Sequence, residues 1–149
     1  MNSGARGALN QYKSIGTSTG VIDVTPHRLI QMLLEGALEK ITVAKQAMAQ
    51  GNIAQKGSNI SLAISIIDGL RTSLDKSMKN DIVTNLDYLY EYMGRRLLEA
   101  NLKNDAEILS EVSNLLIEIK SGWDAIPDDI RRAHAEGKLS AENPLPQVR

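Results

Sequence analysis

Few side chains in this 149-residue sequence could do covalent or acid-base chemistry, and their spacing argues against each reaction in turn. There are two histidines, His27 and His134. The first falls in the opening turn of a helix and the second in the tail, so neither occupies the mid-helix position that a phosphotransfer bundle needs. Both read as solvated surface histidines. A di-iron bundle needs inward-facing Glu-x-x-His pairs on two helices, but the residue three before His134 is Arg131. The string Gly51 to Ser58, GNIAQKGS, has Lys56 before Gly57 where a phosphate loop needs Gly then Lys, and no strand precedes it. It reads as an interhelical turn. Zero Cys rules out thiolate catalysis, disulfides and Cys-based zinc sites, and fits a reducing cytoplasm. Neither a catalytic residue nor a metal or other cofactor is expected.

What remains is the chemistry of binding. Tyr88 and Tyr92 are i, i+4 neighbours on a helix, while Leu86 and Tyr90 lie about 200 degrees round from them at 100 degrees per residue. All four cannot face one seam. Either this helix is buried on several sides or it presents a tyrosine face to a partner, where a ring with a polar tip suits a partly wet interface. Arg95 and Arg96 follow, ready to bond a partner's carboxylates or carbonyls, or to pair with Glu91 or Glu99 on their own helix. Leu62 with Ile66, and Leu109 with Leu116, form apolar stripes beside the seams of their helices. They either widen the core-facing arc or line an exposed groove. In a groove, each large apolar side chain covered would contribute about 1.5–3 kcal/mol before ordering costs.

These residues are positioned by four helical segments. Residues 1–24 mix Gly, Ser, Thr and Asn without periodicity and read as a mobile arm, with Tyr12 and Ile15 its only bulky pair. Thr25-Pro26 then caps and opens a helix to about Gln50, its seam Ile30, Leu34, Ala37, Ile41, Ala44 and Met48 spaced 4, 3, 4, 3, 4. A second helix runs from about Ile53 to Met78 on Ile60, Ala63, Ile67, Leu70 and Leu74. The third spans about Asp81 to Lys103 on Ile82, Leu86, Leu89, Met93, Leu97 and Ala100. Asn104 with Glu107 matches a capping box opening a fourth, about Asp105 to Ala125, on Ile108, Val112, Leu115, Ile119 and Trp123. Pro127 stops it. Residues 127–149 read as a tail with a short helix around Ile130 to Glu136, loose thereafter. Similar lengths and two-residue breaks specify an all-α, antiparallel up-and-down four-helix bundle over residues 25–126.

Net charge is −1, from 17 Lys plus Arg against 18 Asp plus Glu, so no global positive field gathers phosphates and no nucleic-acid partner is expected. No apolar run approaches the roughly 18 residues of a membrane span, and the start lacks the regions of a signal peptide. A cytoplasmic location is expected.

LIQMLLEGALEKI (Leu29 to Ile41), SLDKS (Ser73 to Ser77), NLDYLYEYMGRRLLEAN (Asn85 to Asn101) and Trp123 together resemble the flagellin-specific export chaperone family, FliS, over about Tyr12 to Trp123. The third string is the specific part. Leu34-Glu35 departs from the Tyr-Asp pair that the family usually shows before its glycine. The resemblance implies a non-catalytic bundle that binds the disordered C-terminal segment of flagellin, keeps it from polymerising, and helps bring it to the flagellar export gate. It implies groove residues among Leu62, Ile66, Asn85, Tyr88, Tyr92 and Arg95. It also implies that the arm around Tyr12 and Ile15 covers the groove when cargo is absent. A signalling or adaptor bundle, or a chaperone for another secreted helical protein, is the alternative; missing a mid-helix histidine weighs against phosphotransfer.

Overall fold

The computed structural model describes residues 24–78, 80–127 and 130. Helix α1 is Pro26–Ala49, α2 is Ile53–Thr72, α3 is Asp81–Lys103 and α4 is Ala106–Asp124. Each helix packs on its sequence neighbour, and α1 packs on α4, so the four close a ring with no diagonal contact. Cross-links between ends fix the directions. Lys56 at the start of α2 bonds the Asn101 carbonyl near the end of α3, Arg71 at the end of α2 meets Asp87 near the start of α3, and Lys45 late in α1 reaches Ser110 early in α4. All adjacent pairs are antiparallel. The all-α up-and-down bundle read from the periodicity is the observed architecture, and among the described residues there is no strand.

Local chemistry sets the ends. Thr25 caps α1 by accepting from the Arg28 amide at 3.0 Å, with Pro26 next, where its missing N–H costs nothing. Gly51, at φ 69°, takes the left-handed turn between α1 and α2, which a side chain would strain. Asn80 caps α3 through the Val83 amide.

Two ends differ from the sequence reading. The second helix stops at Thr72, not near Met78, because serine and aspartate side chains take over the backbone bonding. The Ser73 hydroxyl donates to the Leu70 carbonyl, and Asp75 accepts from the Ser77 amide in a turn. At the α3–α4 junction the capping box is absent: Asn104 is the left-handed C-cap of α3, φ 53°, and Asp105 caps α4 by accepting from the Glu107 amide. Asparagine tolerates that conformation, which frees the following acid for the cap.

The core is filled without Phe. Leu33, Leu34, Ala37 and Ile41 of α1, Ile60, Ala63, Ile67 and Leu70 of α2, Met93, Leu97 and Ala100 of α3, and Leu109, Val112 and Leu116 of α4 are essentially inaccessible. Leu109 and Leu116 thus widen the core-facing arc. Leu115, assigned to the seam by spacing, is only partly buried beside them. The reason is rotational: the apolar arc of α4 centres between the two stripes, not on one. His27 is also displaced from expectation. It is 7% exposed rather than solvated, its ring stacked on Trp123 at 5.0 Å between centroids.

Candidate partner-binding face

The residues singled out in the sequence separate into three places. Ile66 is 4% exposed and belongs to the core cluster, so it is not available to a partner. It lies on the inward arc with Ala63, Ile67 and Leu70, where an isoleucine helps close the α2 face of the core. Leu62 is 45% exposed. It stands nine residues from Arg71, hence about 180 degrees round α2 from the side chain that reaches α3. Leu62 therefore lies on the flank of α2 turned away from α3, apart from the tyrosines. Tyr12 and Ile15 lie outside the described residues.

Asn85, Tyr88, Tyr92 and Arg95 do come together, on the outer side of α3 towards α4. Tyr90 resolves the crowding of tyrosines: it is 4% exposed and points inward, and burial pushes its hydroxyl pKa well above the ordinary value. Tyr88, 61% exposed, and Tyr92 point outward, rings stacked at 6.5 Å between centroids and 20° between planes. The Arg95 guanidinium lies 5.7 Å from the Tyr92 ring centre and is paired with Glu91, one turn earlier. Helix α3 is therefore not buried on several sides: one tyrosine is core and two form an outward face.

That face is fastened to α4 by a connected polar network. The Tyr92 hydroxyl donates to Glu111 at 2.6 Å, Arg96 donates to Glu111 at 2.7 Å and to Glu99 at 2.9 Å, and Lys103 donates to Glu99 at 3.0 Å. The hydroxyl bond from Tyr92, then that from Arg96, hold the Glu111 carboxyl below its ordinary range; the same bond to Glu111 raises Tyr92. An ionised Glu111 accepting two charge-compatible bonds fixes the angle of the Tyr92 ring. Arg96, through Nε and Nη1, and Arg95, through Nε to Glu91, thus each have a carboxylate partner within the protein. Sequence reading missed Leu102, 87% exposed, although its spacing announces it: Tyr88, Arg95 and Leu102 recur at seven residues and run along one outer ridge.

A second apolar feature sits at the end of the bundle where α1 begins and α4 finishes. A cavity of about 290 Å³ opens there between Leu29 and Ile30 of α1, Leu74 and Met78 of the α2–α3 link, Ile82, Val83 and Leu86 of α3, and Ile119 and Trp123 of α4. Early termination of α2 creates it, because the link carries Leu74 and Met78 past the helix instead of closing the core. His27 and Trp123 brace its rim. His27 Nε2 donates to the Trp123 carbonyl at 2.9 Å, and Trp123 Nε1 donates back to the His27 carbonyl at 3.0 Å. Among the described residues no cluster of His, Cys, Asp or Glu could hold a metal ion, and no helix is long and apolar enough to cross a membrane.

The outward tyrosine stack and the apolar end cavity are the two surface features that the packing of the four helices leaves open. Residues 8–129 match the family model described as flagellar protein FliS. The chain belongs to the FliS family. Flagellar secretion chaperone FliSB of Pseudomonas aeruginosa is 50% identical over 119 residues, covering 80% of this chain and 94% of that protein. Flagellar secretion chaperone FliS of Vibrio cholerae is 41% identical over 124 residues, 83% and 91% of the two chains, and that of Salmonella typhimurium 42% over 119 residues, 79% and 88%. The FliS family is one of flagellar secretion chaperones, not enzymes.

Proposed function

We propose that the protein binds the disordered C-terminal segment of flagellin in the bacterial cytoplasm, keeps it from polymerising, and delivers it to the flagellar type III export apparatus. The observation that supports this most is the outward Tyr88–Tyr92 stack, rigidly held by Glu111 yet with Tyr88 61% exposed, on a member of a secretion-chaperone family. A segment that otherwise assembles with its own kind gains order only while covered, and exposed stacked rings supply area at small entropic cost. The end cavity adds room for a large apolar side chain of the cargo. Asn85, Tyr88, Tyr92 and Arg95 form the binding face, Leu62 a separate contact on the opposite flank of α2 that a wrapping segment reaches, and Tyr12 and Ile15 a lid that cargo displaces.

Light scattering of flagellin assembling into filaments tests this reading. An equimolar amount of the protein should suppress growth, and excess flagellin should restore it. Growth unaffected by a several-fold molar excess of the protein overturns the reading. Deleting residues 1–20 should leave the bundle folded and change the affinity for flagellin. Equal affinity removes the lid.

A further inference from the structure

The groove between α3 and α4 has two unlike walls. Its α3 wall carries Tyr88 and Tyr92, and Leu89 and Leu115, both partly buried against the core, lie about 60 degrees round α3 from Tyr92 and about 40 degrees round α4 from Glu111, which places them at its floor. Its α4 wall carries Glu107, Glu111 and Glu118. Glu111 faces α3, since it accepts from Tyr92 and Arg96. Glu107 and Glu118, four residues before and seven after it, fall within about 40 degrees of Glu111, a row about 16 Å long at 1.5 Å per residue.

The charges along this groove do not balance. Arg95 is paired with Glu91, Arg96 with Glu111 and Glu99, and Lys103 with Glu99, so each cation on the α3 side has an internal partner. Glu107 and Glu118 are exposed, and among the described residues neither has an ion-pair partner. A ligand lying on the tyrosines thus meets a row of uncompensated negative charge along its α4 side, while on the α3 side, among the described residues, only Asp81 at the start of the helix is exposed without an ion-pair partner.

We infer that the α3–α4 groove selects an amphipathic helical segment whose apolar stripe packs on Tyr88, Tyr92 and the leucine floor and whose α4-facing edge carries Lys or Arg. This rests on the reading of the outer α3 face as the cargo site and adds the chemistry of what it takes. A segment with acidic residues on that edge is repelled by Glu107 and Glu118 and gains nothing from Arg95 or Arg96, whose partners would have to be broken first. The rotation of a bound helix follows too, because the basic edge is drawn to the side where Glu107 and Glu118 stand in a row. Exposed pairs are weak singly, so two of them shift affinity by about three- to tenfold rather than by orders of magnitude. They act chiefly as a selector.

The test uses the full chain and two synthetic 20-residue helical peptides with one shared leucine stripe, one edged with Lys and the other with Glu. Calorimetry at low and high salt, on the wild type and on the Glu107→Gln/Glu118→Gln double variant, reads the selection. The Lys peptide should bind about three- to tenfold tighter than the Glu peptide at low salt, and the advantage should shrink in 0.5 M salt and in the double variant. Equal binding of the two peptides, or an advantage that the double variant keeps, overturns the inference. A flagellin C-terminal segment measured alongside separates the two ideas. If it binds with no dependence on Glu107 and Glu118, the cargo reading stands and the charge selection fails; if it does not bind while the Lys peptide behaves as stated, the reverse holds.

Discussion

The imidazole of His27 lies nearly parallel to the indole of Trp123, 11° between planes, and each residue also bonds the other's backbone carbonyl through its ring nitrogen. Two residues 96 positions apart thereby close the ring of helices at the end where α1 begins. Trp123 also forms one wall of the apolar cavity.

Replacing that wall should cost stability before it costs anything else. Trp123→Leu removes the stack and leaves the His27 carbonyl without its donor, for a loss of about 2 kcal/mol. Urea unfolding followed by far-UV circular dichroism checks this, because the substitution deletes the chain's single tryptophan. An unchanged midpoint would mean that the clasp contributes nothing.

The split between Leu62 and Ile66 gives a sharp contrast four residues apart. Ile66→Asp buries a charge in the core and should unfold the bundle or cost at least about 3 kcal/mol. Leu62→Asp, on an exposed flank, should change stability by no more than about 0.5 kcal/mol. Thermal melts of the two variants check the order; similar losses would place Leu62 in the core as well.

Acid should weaken the bundle in a defined window. The hydrogen bond from Arg71 holds the Asp87 carboxyl below its ordinary value, with Lys76 assisting, and Glu111 and Asp124 are lowered by Tyr92 and Lys120 in turn. A depressed folded-state pKa means stability fully present above the unfolded value, near 3.9 for Asp and 4.3 for Glu, and lost as pH falls through the folded one. Urea midpoints should hold steady from pH 7 to about 5 and fall below about 4. Asp87→Asn should lower the neutral plateau and make the acid limb shallower. A variant curve parallel to the wild type would mean that Asp87 contributes nothing to the acid limb.

Alkaline titration reads the two kinds of tyrosine apart. Tyr90, pushed up by burial, and Tyr92, raised by its bond to Glu111, should both ionise above the ordinary pKa of about 10 when absorbance near 295 nm is followed. Glu111→Gln should bring Tyr92 down and leave Tyr90 where it was. Movement of both would mean that the network supports the core as well as the face.

Much of this was legible in the sequence because the bundle is periodic. Spacings of 3 and 4 located four helices and most of their seam residues, and Thr25-Pro26 acted as a start signal at the residues expected. The second helix's end was not, because Asp75 and Ser77 build a turn whose competition with the helix depends on side-chain hydrogen bonds, not on hydropathy. Rotation about a helix axis was the other limit. Spacing shows that Leu62 and Ile66 share a stripe with each other, or Tyr88 with Tyr92, but not which stripe the neighbouring helices cover. Only packing showed that Ile66 is core, that Leu62 and Tyr88 lie on separate flanks, and that Glu111 ties Tyr92 down. His27 was misplaced for the same reason, since its partner lies 96 residues away.

Isothermal calorimetry of the full chain against flagellin's C-terminal segment, beside the Tyr88→Ala variant, reads whether the outer face of α3 is the cargo site. Saturable one-to-one binding with a Kd below about 10 μM is expected, with a variant that folds normally yet binds about tenfold or more weakly. Absence of binding at about 50 μM, or a Tyr88→Ala chain that binds as the wild type does, would contradict it.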